Sequence, residues 1–295
     1  MSWFLLGAPW DSSASRRGEA AAPGALRAAG LTELVEADLG DADTVVEDGT
    51  RDPETGVLAL PATVVAARAL TASLTAALRN RPGSRPLVVG GDCSLLLGVV
   101  PALLTVAGPV GLWFVDGHPD YLDGAASETG ETADMDLAIL TGDGAASLVS
   151  LAGAVPMIEP PAVVLLGHRT SGLDAASAAE VERLPDALHR IAAPELLVDP
   201  AAAGRTARDL LGDTGAGVWL HVDLDVLDPS ELPAVTYPQP GGPTWVQLAD
   251  LLAPLAASPR LLGISVADFR ADLDPSGDHA ARVVELLRGV LATAG

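Results

Sequence analysis

Short apolar runs that alternate with longer stretches rich in alanine and leucine constrain the fold of this 295-residue chain most strongly. The runs are apolar along their whole length, which is typical of strands buried on both faces of a parallel sheet. The predicted strands are Trp3–Gly7, Pro86–Gly90, Gly111–Asp116, Ala162–Gly167, Val218–Asp223 and Leu261–Ala267. The clearest predicted helices between them are Pro61–Asn80, Leu173–Glu182, Trp245–Leu255 and Asp278–Ala292.

This alternation predicts an α/β fold in three α/β/α layers, with a mostly parallel central sheet between two layers of helices. No internal repeat, low-complexity linker or break in composition divides the sequence, so we expect residues 1–295 to form a single domain. The acidic stretch from Asp38 to Glu54 lacks the ligand and glycine spacing of a calcium loop, and we interpret it as a solvated surface loop.

Charge and cysteine content limit the partners and the compartment. The chain has 17 Lys and Arg against 39 Asp and Glu, and a charge of −22 repels nucleic acid and anionic membranes. The single cysteine, Cys93, excludes an intrachain disulfide and fits a reducing compartment. The stretch Trp3–Ala8 is too short for a signal peptide, and no apolar run approaches the length of a membrane span. We therefore expect a soluble cytoplasmic protein that binds neither nucleic acid nor membrane.

The segment Asp116-Gly117-His118-Pro119-Asp120 contains three potential metal ligands directly after a predicted strand. The carboxyl edge of a parallel sheet is where α/β folds bind ligands. An extended chain would place Asp116 and Asp120 about 13 Å apart, so a shared metal site requires the segment to curl at Gly117 and Pro119. The alternative is a turn whose acids only cap the next helix.

A second acidic segment, His221-Val-Asp223-Leu-Asp225-Val-Leu-Asp228-Pro229, ends another predicted strand. Asp223 and Asp225 are two positions apart and would lie on one face of an extended chain. Their charges repel there unless a cation lies between them. Asp228 and Pro229 are interpreted as the turn that ends the strand.

Together the two segments offer four carboxylates and one imidazole, an oxygen-rich set suited to Mn²⁺ or a similar divalent ion. Four negative charges match two dications. This balance points to a binuclear site that lowers the pKa of a bridging water and presents hydroxide to an electrophilic carbon.

The order of motifs resembles that of the ureohydrolases, the family of arginases, agmatinases and formimidoylglutamases, over almost the whole chain. Gly90–Ser94 resembles the family's G-G-D-H-S segment, Asp116–Asp120 its D-A-H-x-D segment and His221–Pro229 its x-x-D-x-D-x-x-D-P segment. Pro238–Gly242 is similar to its P-x-P-G-G loop, and Gly7–Trp10 to its opening glycine loop. The resemblance implies an arginase-like fold and a hydrolase that attacks a guanidino or amidino C–N bond with hydroxide held by two Mn²⁺ ions.

The resemblance also implies which residues bind the metal. Asp116 and Asp223 would bridge both ions, and His118 and Asp225 would complete one metal position. Asp120 would bind the other ion, hydrogen-bond the bridging hydroxide and relay a proton to the departing amine.

The remaining ligand of the second position is a histidine in the family and Cys93 in this chain. A thiolate is softer than imidazole and would favour Zn²⁺, Co²⁺ or Fe²⁺ over Mn²⁺. An inert buried thiol would instead leave that coordination position vacant. Both alternatives are open from the sequence.

Asp268 takes the place of the family's glutamate that faces the guanidinium, with Ser265 at the preceding acidic position. We predict that Asp268 is catalytic and binds the substrate. One methylene less moves the carboxylate back by about 1.5 Å, which indicates a different cation or a larger amidine. The alternative is a strand-end aspartate bonded to its own loop.

Three positions that are functional in arginases differ here. Ala133 replaces a histidine thought to shuttle protons, Leu122 replaces a carboxamide, and Gly172 replaces an acid that would bind an amino group. His168 and His221 are interpreted as hydrogen-bonded structural or supporting histidines. The two remaining histidines, at positions 189 and 279, are expected on a helical or loop surface and receive no role.

Ser127 and Thr129 are predicted to bind substrate by donating to a carboxylate, but Glu131 and Asp134 make the entrance acidic. A small cationic guanidino or amidino compound without a carboxylate suits that charge better than arginine.

Two other hypotheses stand beside the binuclear amidinohydrolase. If Cys93 leaves one position empty, a single-metal amide hydrolase follows by analogy with the related deacetylase fold. Because Cys93, Leu122 and Ala133 all depart from the family, a catalytically silent metal-binding homologue is the third. Family members are commonly trimers or hexamers, and the resemblance implies such a homo-oligomer here.

Overall fold

A computed structural model of the protein describes residues 2–212 and 215–294. In this part of the chain, eight strands form one parallel sheet. The strands are β1 (Trp3–Ala8), β2 (Ala37–Asp41), β3 (Arg85–Gly90), β4 (Val110–Val115), β5 (Val163–Leu166), β6 (His189–Ile191), β7 (Gly217–Asp223) and β8 (Leu261–Ala267). Their order across the sheet is β2-β1-β3-β8-β7-β4-β5-β6. The predicted parallel sheet is confirmed.

The six predicted strands are all present, each with bounds within one residue of the prediction. The two strands that were not predicted, β2 and β6, lie at the two edges of the sheet. Strand β2 is mostly exposed and carries two aspartates, so it lacks the continuous apolar pattern of a buried strand. The interpretation of the acidic stretch as a loop is therefore wrong for Asp38–Asp41, and His189 begins a short strand instead of lying in a helix or loop.

Ten α-helices lie between and after these strands in the described part of the chain. They are α1 (Ala22–Ala28), α2 (Leu60–Asn80), α3 (Leu96–Ala107), α4 (Asp136–Leu140), α5 (Ala146–Val149), α6 (Ala175–Arg183), α7 (Ala193–Leu196), α8 (Pro200–Leu210), α9 (Trp245–Ala256) and α10 (Asp278–Thr293). The four predicted helices correspond to α2, α6, α9 and α10, within two residues at each end.

The apolar side chains divide into two clusters, one on each face of the sheet. Leu5 belongs to the cluster that contains the buried side chains of α8, α9 and α10, whereas its neighbours Phe4 and Leu6 belong to the cluster with those of α2 and α3. Successive strand residues point to opposite faces, so the sheet lies between two helical layers. The predicted three-layer α/β/α fold is confirmed.

Helix α2 corrects one expectation. It has 21 residues, and an 18-residue window within it has a mean hydropathy of 1.3, so by length and composition alone it is long and apolar enough to cross a membrane. In the fold, α2 packs against α3 and buries Leu70 and Leu74 in an apolar cluster. A helix of an outer layer needs such an apolar face to cover the sheet.

The sheet order determines where the functional side chains meet. Strands β3, β8, β7 and β4 are consecutive neighbours, and all carboxyl ends of a parallel sheet lie at the same edge. The segments that begin at Cys93, Asp116 and Asp268 follow β3, β4 and β8, and Asp223 is the last residue of β7.

Candidate metal centre

Side chains at these four strand ends, together with Asp136 of α4, converge in four overlapping groups. Within each group, one potential ligand atom per residue lies within 4.8 Å of the others. The groups are Cys93 with Asp120 and Asp136, Asp116 with His118 and Asp120, Asp116 with His221 and Asp223, and Asp223 with Asp225 and Asp268. All six residues expected to bind metal belong to at least one group, so the two distant acidic segments do come together.

The segment after β4 curls as its glycine and proline indicate. Asp116 Oδ1 accepts a hydrogen bond of 2.6 Å from the backbone N–H of His118, and Asp120 has a positive φ of 48°. At Gly117 the backbone lies against the other segment, because a Cβ there would meet the Asp225 carbonyl oxygen at 2.9 Å. The expected turn is confirmed, and it brings both acids of the segment to one site.

The second acidic segment reaches the site in a different way from the prediction. Strand β7 ends at Asp223, and Leu224–Val226 forms a 3₁₀ turn. The backbone N–H of Asp225 donates to Asp223 Oδ1 at 2.9 Å. Alternation along an extended chain is therefore the wrong reason for their proximity, and the turn is the right one. Asp228, as expected, closes a turn by accepting from Ser230.

One side of the centre, which we call the histidine side, consists of His118 and Asp225. His118 Nδ1 lies 2.7 Å from Asp225 Oδ2, and Asp225 Oδ1 also accepts from the Gly117 N–H at 3.0 Å. Burial opposes the charge on both groups, but their ion pair outweighs it, raising the pKa of His118 and lowering the pKa of Asp225. The histidine side thus balances its charge with groups of the chain.

The other side, which we call the thiol side, consists of Cys93, Asp120 and Asp136. Cys93 Sγ donates to the Ala133 carbonyl oxygen at 3.0 Å and lies 3.4 Å from Asp120 Oδ2. Burial, then the charges of Asp136 and Asp120, raise the pKa of the Cys93 thiol. Burial, then the charges of Asp136 and Glu180, raise the pKa of Asp120. The thiol side contains anionic groups without a cationic partner among its three members.

Buried polar atoms without partners show that this donor set fits divalent cations. Within residues 2–212 and 215–294, Asp116 Oδ2 and both carboxylate oxygens of Asp136 have no hydrogen-bond partner. Burial, followed by repulsion from neighbouring carboxylates, raises the pKa of Asp116 and of Asp223. Ionised carboxylates in such a place are stabilised by a metal ion, and hard oxygen ligands suit Mn²⁺ and similar ions.

His221 supports this cluster from inside β7. It is fully buried, and its Nδ1 lies 2.7 Å from Ser265 Oγ, which also accepts a hydrogen bond of 2.8 Å from Trp219 Nε1. Burial lowers the pKa of His221 to about 3, so the ring is neutral. His168 is also buried, and burial followed by nearby arginine charge lowers its pKa to about 4.

Asp268 comes from β8 and contacts a neighbouring loop. Its carboxylate accepts two hydrogen bonds, of 2.9 and 3.2 Å, from the backbone N–H of Thr236. It also belongs to the group with Asp223 and Asp225. Burial and the charge of Asp225 raise its pKa. The structure therefore places Asp268 beside Asp223 and Asp225, bonded to the loop that precedes α9 rather than to its own loop.

A cavity of about 490 Å³ opens above the cluster. The described residues lining it include eleven carboxylates, among them Asp120, Asp223 and Asp268, and only two arginines, Arg17 and Arg183. Leu122 and Ala133 also line this cavity. A cavity with this lining attracts cations and repels anions.

The expected substrate-binding hydroxyls already have a carboxylate acceptor. Ser127 Oγ and Thr129 Oγ1 donate to Asp134 Oδ2 at 2.6 and 3.0 Å. Ser127 is buried at 3% exposure, whereas Thr129 lines the cavity. The chain's own carboxylate thus occupies the position at which these donors were expected to hold a carboxylate of the substrate.

Sequence reasoning missed two carboxylates of the site, Asp136 and Glu180. Glu180 lies on α6 and accepts a hydrogen bond from the Tyr121 N–H at 2.9 Å, but on a helix rich in alanine and charged residues it looks like part of a solvated face. Asp136 did offer a signal, because it is an acid inside the apolar run Met135–Leu140 with no nearby basic residue in the sequence.

The layered parallel sheet, with acidic ligands gathered at its carboxyl edge, defines an α/β protein with a candidate metal centre. The sequence matches the arginase family over residues 1–292, and the chain belongs to that family.

Individual relatives agree with this assignment. An arginase of Bacillus caldovelox is 29% identical, with 96% of this chain and 95% of the relative covered. The structure of native Bacillus caldovelox arginase at pH 5.6 superposes with a TM-score of 0.88 and 27% identity, covering 99% of this chain and 98% of the other. An N(omega)-hydroxy-L-arginine amidinohydrolase of Streptomyces lavendulae is 26% identical over 70% of this chain and 68% of its own length.

Proposed function

We propose that the protein is a metal-dependent hydrolase of a guanidino or amidino C–N bond. The observation that carries the proposal is the convergence of two acidic segments and Asp268 at the floor of one acidic cavity. Family membership supports an amidinohydrolase activity of this kind.

The proposed metal ligands are Cys93, Asp116, His118, Asp120, Asp223 and Asp225, which would hold two divalent ions. Bound ions supply an activated water as the nucleophile at neutral pH. Carboxylate ligands favour Mn²⁺, and a Cys93 thiolate would shift the preference toward Zn²⁺, Co²⁺ or Fe²⁺. Metal analysis of the protein after reconstitution with each ion distinguishes these cases, and one ion per chain would favour the single-metal alternative.

Asp268 and Asp120 are proposed as the catalytic carboxylates. Asp268 lines the cavity beside Asp223 and Asp225, where a carboxylate can accept charge-assisted hydrogen bonds from a guanidinium. Asp120, on the thiol side, also lies close to Asp116 and His118, so its carboxylate can take a proton from the attacking water and deliver it to the departing amine.

The substrate proposed for this cavity is a cation without a carboxylate. The lining contains far more carboxylates than arginines, and a substrate carboxylate would meet Asp134 at the Ser127 and Thr129 hydroxyls. We propose that these two hydroxyls act on the substrate through Asp134, whose position they fix.

A substrate panel tests the activity. With added Mn²⁺, we expect urea release from the decarboxylated analogue of arginine or from larger guanidines in preference to arginine. Asp268→Asn should lower kcat/KM by roughly 10- to 100-fold, because it weakens charged hydrogen bonds worth about 1.5–3 kcal/mol. The control is Asp143→Asn, which makes the same change at an exposed aspartate outside the cavity lining. Absence of turnover with every compound in fully metallated protein would contradict the proposal.

Asp134→Ala tests the substrate class. The change frees the Ser127 and Thr129 hydroxyls, so the ratio of kcat/KM for arginine to that for its decarboxylated analogue should rise by about tenfold. Adding Ser127→Ala and Thr129→Val to the same variant should cancel the gain. An unchanged ratio would show that these hydroxyls do not face the bound substrate.

We also propose that the chain assembles as a homo-oligomer, a trimer or a hexamer. Light scattering coupled to size-exclusion chromatography gives the mass, and a monomer would contradict this proposal.

A further inference from the structure

Asp136, the first residue of α4, is an acid in an otherwise apolar helix. It is fully buried, and the other four residues of the helix are buried apolar side chains. Neither carboxylate oxygen has a hydrogen bond of standard length and angle in the described chain. The polar groups that do interact with it, the Asp120 carboxyl, the Leu137 N–H and the Cys93 thiol, carry no positive charge.

A buried carboxylate without a cationic partner is costly. Transfer of an isolated ionised carboxylate into the interior costs many kcal/mol, and such groups persist when they are paired or coordinate a metal. The exposed aspartate of the same region, Asp143, has no such constraint. The position of Asp136 thus requires either a cation or permanent protonation.

The neighbours of Asp136 are themselves metal-binding groups. One of its oxygens lies within 4.8 Å of Cys93 Sγ and of an Asp120 oxygen. The three residues come from separate parts of the chain, namely the 3₁₀ turn after β3, the loop after β4 and the start of α4. Three potential ligands from independent segments thus lie close enough together to hold one ion.

We propose that Asp136 is a ligand of the metal ion on the thiol side. Asp136 and Asp120 would give this ion two carboxylate ligands in addition to the bridging Asp116 and Asp223. The ion would then depend neither on an imidazole nor on the Cys93 thiolate alone. This inference rests on the metal centre of the proposed function and assigns one more residue to it.

The rival explanation is a structural one, in which Asp136 stays protonated and shares a proton with Asp120. Both explanations place the two carboxyl groups close together. They differ in whether removing the charge of Asp136 weakens metal binding.

The decisive experiment is a titration of metal-free protein with Mn²⁺ alone. Wild-type protein should bind two ions per chain. Asp136→Asn should bind the first as the wild type does and lose affinity for the second by about tenfold or more, since even supporting groups of metal sites contribute that much. Asp143→Asn is the matched control and should titrate like the wild type. Two ions bound with unchanged affinity by Asp136→Asn would overturn the proposal.

Two further measurements keep the test independent of folding and of catalysis. Metal-free Asp136→Asn should be at least as stable as the wild type, but Mn²⁺ should raise its Tm by less. In crystals of the wild type grown with Mn²⁺, an Asp136 oxygen should lie within about 2.5 Å of an ion, and a carboxylate turned away from both ions would refute the assignment even if the variant did not fold.

The titration contains no guanidine, so it separates this inference from the proposed function. Failure to hydrolyse any guanidino compound would count against the proposed activity. It would not change what the Mn²⁺ titration of Asp136→Asn shows about Asp136. An unchanged titration with normal turnover would count against Asp136 alone.

Discussion

The histidine side and the thiol side of the candidate metal centre balance the charge of their buried carboxylates in different ways. On the histidine side, Asp225 is held by His118 at 2.7 Å and by the Gly117 N–H at 3.0 Å. On the thiol side, Asp120 and Asp136 face Cys93, and neither oxygen of Asp136 is paired within the described residues. The first side pairs its carboxylate with groups of the chain, whereas the second holds carboxyl groups whose charge a bound cation would balance.

This difference separates two roles of acidic residues that look alike in the sequence. An acid with an internal partner contributes to the stability of the fold as well as to the site. An acid without one contributes only when a ligand is present, and until then it lowers stability. Three predictions test this distinction.

The largest effect on metal binding and turnover is expected for Asp116, which both sides of the centre share. Asp116 belongs to groups that reach His118 and Asp120, so Asp116→Asn should weaken both ions together. The loss of several kcal/mol of metal-based activation corresponds to a rate lower by on the order of 10³-fold. Metal content and turnover should fall in parallel. Retention of one tightly bound ion would show that the two sides are less connected than their geometry indicates.

The expected outcomes above rest on a fold that was largely predictable. The buried strands were predicted because their apolar pattern is continuous, and the meeting of the two acidic segments followed from the common edge of parallel strands. The edge strand β2 was not predicted, because an exposed edge strand has no continuous apolar pattern.

Parts of the candidate site were not predictable for a different reason. The contacts of Ser127 and Thr129 with Asp134, and of Asp136 with Cys93, are side-chain contacts between irregular segments. No periodicity encodes such contacts, so only the folded geometry reveals them. The proximity of Asp223 and Asp225 was expected, but it arises from a 3₁₀ turn that two-residue alternation does not describe.

The second prediction compares one acid from each side in metal-free protein near pH 6. Asp225→Asn breaks the ion pair with His118 and should lower the free energy of unfolding by about 1.5–3 kcal/mol. Asp120→Asn removes a carboxylate that burial and neighbouring acids disfavour, and should raise it by on the order of 1 kcal/mol. Asparagine tolerates the positive φ of Asp120.

Denaturant titrations in the presence of a chelator measure both changes. If both variants change the free energy of unfolding in the same direction, the two sides do not differ in the way described here.

The smallest expected effect is a difference in pH dependence between the two sides, again without metal. The raised pKa of His118 stabilises the fold below the unfolded value of 6.5 and ceases to do so as the pH rises through the folded value. The lowered pKa of Asp225 stabilises the fold above 3.8 and ceases to do so as the pH falls through the folded value. The pair therefore contributes most between pH 3.8 and 6.5.

For Asp120 the sign is opposite, because a raised pKa means that the folded protein holds the proton more tightly and loses stability as the pH rises above 3.8. The deficit of His118→Gln relative to wild type should consequently be largest near pH 5 and shrink toward pH 8, while the advantage of Asp120→Asn should grow over the same range. Unfolding free energies at several pH values, with chelator throughout, give both curves. Parallel curves would mean that His118 and Asp225 do not form a charged pair in the metal-free protein, and the histidine side would then depend on metal as the thiol side does.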